Sequence, residues 1–225
     1  MTMQTPIGIG EKPARWRTIA SGLAAAAVAC ADLWLVWTGE TSLIGPRTVP
    51  PVLALAFYSV IYRGDASAMG LRFRPIQGLR YWVLATALIG AAIGAFLLLA
   101  LAVALITGYP IRLYEIRPHD LMTMFVQMCV LAPIFEEATY RFALCTGLVP
   151  VIKPWGTIFV SGLIFGALHF LYGNPGPDNL IAGYFLAWAY LKSGTIFVPV
   201  VLHSLGNLCA LVMHFGTWYW QHAWA

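Results

Sequence analysis

Glu136, Glu137 and Arg141 fall inside Leu-Ala-Pro-Ile-Phe-Glu-Glu-Ala-Thr-Tyr-Arg-Phe (131–142), in a stretch whose surroundings are as apolar as a membrane span. A charge at the centre of a bilayer helix costs about 2.5–3.5 kcal/mol on insertion scales, so three of them together need a reason. On a helix Glu137 and Arg141 are four residues apart with the acid first, the favourable order for an ion pair. That pairing leaves Glu136 unmatched. Glu136 shares a helical face with Tyr140, whose hydroxyl is placed to hold or orient it. Pro133 deprives a carbonyl near position 129 of its helical donor, which predicts a kink and a polar opening at this depth.

Two further apolar segments each carry one polar pair. Phe165 and His169 are four apart in Leu-Ile-Phe-Gly-Ala-Leu-His-Phe, and His203 and Asn207 are four apart in Val-Leu-His-Ser-Leu-Gly-Asn. Taken singly, a histidine in an apolar helix is a hydrogen-bonded packing residue, and Glu137 with Arg141 is a structural pair. Taken together, an unpaired Glu, two His and an Asn on three apolar helices are buried cheaply only if they converge. A desolvated carboxylate beside a histidine can take a proton from water. A second His and an Asn amide can donate hydrogen bonds to the oxyanion of a tetrahedral intermediate. That describes a hydrolase without a covalent nucleophile. The alternative is a zinc hydrolase with Glu136, His169 and His203 as ligands, since two His and one carboxylate form a known catalytic set. No H-e-x-x-H run accompanies that alternative, no Gly-x-Ser-x-Gly elbow presents a serine, and no aspartyl pair is present.

The elements that must position these residues follow from composition. Of 225 residues, 60% are hydrophobic and 10% charged, with a mean hydropathy of +0.77. Soluble domains carry about 25% charged residues, so the chain reads as an integral membrane protein. Disorder is excluded by the apolar content, and a β-barrel by unbroken apolar runs without alternation. A pI near 9.0 reflects membrane topology rather than a nucleic-acid surface. Cys30, Cys129, Cys145 and Cys209 lie in apolar segments without C-x-x-C spacing and read as buried thiols.

A bilayer needs about 20 apolar residues per helix. Candidate spans lie near 18–38, 43–62, 81–107, 121–149, 155–172, 179–192 and 195–217. The expected fold is therefore all-α, a polytopic transmembrane bundle of about seven helices (six to eight) around a buried polar site. Pro50 and Pro51 interrupt the second span, and the sixth is short and flanked by Gly173, Pro175, Gly176 and Pro177. The stretch 107–119, with Pro110, Arg112, Tyr114, Ile116 and Arg117, reads as an amphipathic interfacial segment or a loop. The chain is expected to be a single integral membrane domain (1–225), with 1–120 supplying N-terminal helices and 121–217 the catalytic core.

Lys and Arg mark cytoplasmic loops. With the N-terminus inside, the inner segments hold Lys12, Arg15, Arg17, Arg63, Arg72, Arg74, Arg80, Lys153 and Lys192, against Arg47, Arg112 and Arg117 outside. A cytoplasmic N-terminus is expected. The first segment is too long for a signal h-region of about 7–15 residues and reads as a retained helix. Asp32 within it has no evident partner and reads as structural or peripheral. Gly90-x-x-x-Gly94 and Gly162-x-x-x-Gly166 predict close helix crossings. Trp218, Tyr219, Trp220 and Trp224 read as an interfacial anchor, with His214 and His222 as bystanders.

At its polar residues the chain resembles the CPBP group of intramembrane proteases, which includes the type II CAAX prenyl endopeptidases and bacteriocin-processing or immunity proteins. The group's pattern is E-E-x-x-x-R, then F-x-x-x-H, then H-x-x-x-N or D. Here it reads Glu136-Glu137-Ala-Thr-Tyr-Arg141, Phe165-Gly-Ala-Leu-His169 and His203-Ser-Leu-Gly-Asn207, in order, over about 133–210. The resemblance implies that Glu136 activates water with help from His169, that His203 and Asn207 stabilise the oxyanion, and that Glu137 and Arg141 brace the site. It implies no cofactor, with zinc as the alternative. The expected substrate is a membrane protein or peptide, cut at a C-terminal or membrane-proximal bond, in a bacterial inner membrane. The lipid bilayer is the other expected partner, and nucleic acid is not one. A proton-coupled transporter and a non-catalytic scaffold or immunity protein are the rival classes.

Overall fold

The computed structural model of the chain describes residues 14–108, 115–174 and 177–222. Lys12, Pro110, Arg112, Tyr114, Pro175, Gly176 and Trp224 lie outside the described residues. Among the described residues seven helices form and no strand, as the apolar runs require: α1 (Arg15–Trp37), α2 (Val49–Ile61), α3 (Gly78–Thr107), α4 (121–152), α5 (154–171), α6 (Pro177–Ser193) and α7 (Phe197–His222). The break between α4 and α5 is at Lys153, with φ 62° and ψ 170°. Pro154 causes it, because the ring of a proline disfavours helical backbone in the residue before it.

The prolines of the second span open a helix instead of interrupting one. A three-residue 3-10 turn at Pro46–Thr48 leads into α2, and Pro50 and Pro51 sit in its first turn, where no intrahelical N–H is needed. At 13 residues α2 is about 20 Å long, short of a bilayer core of about 30 Å. Among the described residues three helical stretches are long and apolar enough to cross: Arg15–Trp37, Pro118–Leu171 (which contains the Lys153 break) and Phe197–His222.

Two compact units divide the chain, Met1–Ile76 with Leu131–His203, and Gln77–Val130 with Ser204–Ala225. In the first, α1, α4, α5 and α6 pack where side chains are small. A Cβ at Gly147 would overlap Tyr58, the Ser21 carbonyl and Ala25, and one at Gly162 would overlap the Tyr184 ring. These two glycines let α1 and α6 approach their neighbours at backbone distance. Tyr58 then reaches across to donate to the Ala143 carbonyl at 2.8 Å. Gly90 and Gly94 differ from this expectation. Among the described residues a Cβ at either would meet nothing within 4 Å.

The connector before α7 is strapped to the segment after α2. Leu71 bridges Thr195, Ile196 N–H donates to the Gly70 carbonyl at 2.9 Å, and Ile76 N–H donates to the Ser193 carbonyl at 3.0 Å. This fixes where α7 starts, two turns ahead of His203. In the second unit Ile116, Cys129 and Leu211 form a small core.

Apolar residues face outward in both units. Leu23, Val60 and Ile106 are 67%, 77% and 85% exposed, an arrangement suited to lipid and not to water. The same surface corrects the cysteine expectation: Cys129 and Cys145 are buried, whereas Cys30 and Cys209 are exposed on it. An apolar setting therefore buries a thiol in lipid as readily as in protein.

Candidate active site

α4 is not a uniform helix. Residues 125–131 and 138–145 wind with the wider π repeat, flanking the α-helical turn that carries Glu136 and Glu137. Such widened turns recur at functional sites because they re-aim side chains without ending the helix. Glu137 and Arg141 meet as the four-residue spacing predicts, with Nε 3.0 Å from Oε2, both fully buried. The contact is an ion pair without hydrogen-bond alignment. The guanidinium lies 4.6 Å from the centre of the Phe165 ring, so a π face supplies part of what hydrogen bonds do not.

Tyr140 departs from expectation. Its hydroxyl donates to Asp32 Oδ2 on α1 at 2.6 Å, and among the described residues Glu136 Oε2 has no hydrogen-bond partner. The reason is the π turn that begins at Ala138, since the changed angular step takes position 140 off the face that an α-helix would give it. Asp32 also departs, because it has a partner: Arg47 Nε at 2.7 Å from Oδ1. Arg47 is buried, so it is not simply a marker of an outer loop. Asp32 was detectable as an acid in an apolar helix. Arg47 was hidden by its place between spans, where a base reads as topology.

His169 and His203 both face Glu136. The Nδ1 of His169 is bonded to the Phe165 carbonyl at 2.9 Å. A carbonyl only accepts, so Nδ1 carries the proton and Nε2 keeps its lone pair. That Nε2 stands 3.8 Å from Glu136 Oε2. The Nδ1 of His203 meets Glu137 Oε1 at 2.9 Å, which turns its Nε2 to within 3.9 Å of the same Glu136 oxygen. Phe165 underlies both rings, 4.3 Å from His169 and 6.0 Å from His203 between centroids. The structure therefore brings together Glu136, Glu137, Arg141, Phe165, His169 and His203. Neither 3.8 nor 3.9 Å is a hydrogen bond, and a water between these atoms would bridge them at an angle narrower than tetrahedral.

Asn207, one turn beyond His203 on α7, donates through Nδ2 to the Met128 carbonyl at 2.6 Å. Pro133 supplies no N–H to the preceding turn, so a carbonyl near this point needs an outside donor. The expected polar opening before Pro133 thus takes the form of a π-wound segment with a carbonyl satisfied by a side chain.

A tetrahedral zinc holds its ligand atoms about 2.0–2.2 Å away, and hence about 3.4 Å from one another. The Glu136 to histidine separations are wider, and among the described residues no three His, Cys, Asp or Glu form a metal-holding group.

Comparison with known proteins places this geometry. The model of the family described as type II CAAX prenyl endopeptidase Rce1-like matches residues 118–209, which include every motif residue named above. Human CAAX prenyl protease 2 is 23% identical over 256 aligned residues, covering 92% of this chain and 76% of the human protein. No solved structure matches the chain.

Proposed function

We propose that the chain is a CAAX-type membrane protease of the CPBP family, which the match of residues 118–209 to the Rce1-like model and the likeness to human CAAX prenyl protease 2 support, and that it hydrolyses its peptide bond with a water activated by Glu136 and His169. The observation that carries this reading is the state of Glu136: a buried carboxylate oxygen without a hydrogen-bond partner, faced by the Nε2 atoms of two histidines. A water bridging Glu136 Oε2 and His169 Nε2 donates one proton to each and keeps a lone pair for the scissile carbonyl carbon. As it attacks, its proton passes to Glu136, and from there to the leaving amine.

The carbonyl oxygen becomes an oxyanion that needs donors already in place. His203 supplies one. Its Nδ1–H donates to the Glu137 carboxylate, so the imidazolium form of His203 carries a second proton on Nε2 that points into the site. Glu137 is in turn braced by Arg141. Asn207 has two Nδ2 protons, of which the Met128 carbonyl takes one, and the family pattern gives the other the role of second oxyanion donor. The substrate is a membrane-associated protein or peptide cut near its C-terminus or the membrane surface, reached by a lateral or cytoplasmic opening. The N-terminus lies on the cytoplasmic side of a bacterial cell membrane, in keeping with the excess of bases on the inner segments.

The test is cleavage of a membrane-tethered reporter by the purified protein in liposomes. Glu136→Gln keeps size and shape but cannot accept the water's proton, and should lower turnover by roughly 10²–10⁴-fold while expression stays normal. Cleavage at the unaltered rate would remove Glu136 from the mechanism.

A further inference from the structure

Asp32 is remote in sequence from every motif residue, yet its 1% exposed side chain receives three hydrogen bonds. Arg47 Nε donates to Oδ1 at 2.7 Å, Arg47 Nη2 to Oδ2 at 3.1 Å, and Tyr140 Oη to Oδ2 at 2.6 Å. Arg47 Nη2 also donates to the Tyr172 hydroxyl, and its guanidinium carbon lies 5.0 Å from the centre of that ring. The ion pair thus grips two tyrosines. Tyr140 is on α4, four residues after Glu136. Tyr172 caps α5, three residues after His169, with its ring edge-on to the imidazole at 5.5 Å and 74°.

We propose that the Asp32–Arg47 pair is a positioning device for hydrolysis, holding α4 through Tyr140 and the end of α5 through Tyr172 so that Glu136 and His169 stay one water apart. The proposal rests on the hydrolytic reading above. A buried ion pair contributes little net stability compared with apolar residues of the same size, since desolvation consumes most of the attraction. What it does supply is direction. The two-point grip of a guanidinium on a carboxylate fixes plane and distance, which leucines packed between α1 and α4 would not. Tyr140 converts that fixed point into a constraint on the catalytic helix at the turn where the π repeat begins. Phe165 passes it on, with its ring edge-on to Tyr140 at 5.2 Å and tilted against His169 at 4.3 Å.

Kinetics in liposomes with the tethered reporter test it. Tyr140→Phe and Tyr172→Phe each remove one hydroxyl and keep the ring. Each should lower kcat about tenfold with KM within about twofold, the signature of a misplaced reacting group rather than lost binding. Asp32→Asn should lower kcat about tenfold in the wild type but by clearly less than that in the Tyr140→Phe background, because the Tyr140 hydrogen bond is common to both changes. The proposal is overturned if both phenylalanine variants keep kcat within twofold of wild type, or if the Asp32→Asn loss multiplies with that of Tyr140→Phe. Should Asp32→Asn fail to fold, the two phenylalanine variants decide alone. Glu136→Gln assayed in parallel separates the two levels. An active Glu136→Gln sinks the hydrolytic reading and the positioning role with it, whereas an inactive Glu136→Gln beside fully active phenylalanine variants removes only the positioning role.

Discussion

Asp32 and Glu136 are both acids buried in apolar helices, and their surroundings are opposite. Asp32 accepts from Arg47 twice and from Tyr140 once. Among the described residues Glu136 Oε2 has no hydrogen-bond partner, and His169 Nε2 and His203 Nε2 stand 3.8 and 3.9 Å from it. A buried polar atom lacking a hydrogen bond is costly; Glu137 Oε2 and the Arg141 nitrogens share that lack but offset each other's charge, whereas Glu136 Oε2 faces two imidazoles. In the proposed mechanism the saturated acid organises and the unsaturated acid reacts. Glu137 stands between them, its two oxygens divided between Arg141 and His203.

The largest effect that would break this contrast is on stability. Asp32→Ala leaves Arg47 buried without its counter-charge and Tyr140 without an acceptor, and should cost about 3 kcal/mol or more. Glu136→Ala takes no hydrogen bond from Oε2 and should shift stability by less than about 1 kcal/mol. Thermal melting of the two variants in the same detergent checks the order. Equal losses would mean that Glu136 is as much a structural acid as Asp32.

The same contrast separates what was legible in the sequence from what was not. Glu136, Glu137, Arg141, His169 and His203 were legible because charge and imidazole are expensive in an apolar helix, and shared burial is the cheapest remedy. Arg47 was not, since its position between two spans gives a base an ordinary topological explanation; only the fold shows it turned inward to Asp32. The partner of Tyr140 was not legible either. Angular position was inferred from a 3.6-residue turn, and residues 138–145 do not keep that repeat. The small-residue motifs show a third limit. Gly162 lies against Tyr184 and Gly90, among the described residues, against nothing, although both belong to the same G-x-x-x-G pattern. Such a pattern reports a permitted approach, and the neighbour must come from elsewhere in the chain. The helix count survived because hydropathy over 20 residues is a stronger signal than any of these.

An intermediate effect belongs to Glu137. Glu137→Gln keeps an oxygen for one partner but presents an NH₂ to the other, which is a donor, so His203 Nδ1 and Arg141 can no longer both be served. Turnover should fall about 10- to 100-fold, below the roughly 10²–10³ that deleting an oxyanion donor outright costs, because His203 is loosened and not removed. Reporter kinetics on the purified variant check this. A rate within twofold of wild type would mean that Glu137 neither orients His203 nor differs in function from a saturated structural acid.

The smallest effect is expected from removing metal, and it bears on what the open oxygen of Glu136 is for. Water and zinc would use the same three atoms. Two legs of about 2.8 Å meeting at a tetrahedral angle span about 4.6 Å, and zinc would draw its ligands together to about 3.4 Å, so the separations of 3.8 and 3.9 Å lie between the two and the anchoring of the rings decides. In the present geometry His203 Nδ1 is committed to Glu137 at 2.9 Å and His169 Nδ1 to the Phe165 carbonyl at 2.9 Å, so closing on an ion would pull both rings against these anchors. Dialysis of the purified protein against a strong chelator should therefore leave turnover within about twofold, with no stoichiometric zinc in the active sample. Activity lost together with one equivalent of zinc, and restored by it, would make Glu136 a ligand. Its unpartnered oxygen would then be a coordination site, and the distinction between the reacting and the organising acid would have to be redrawn around the metal.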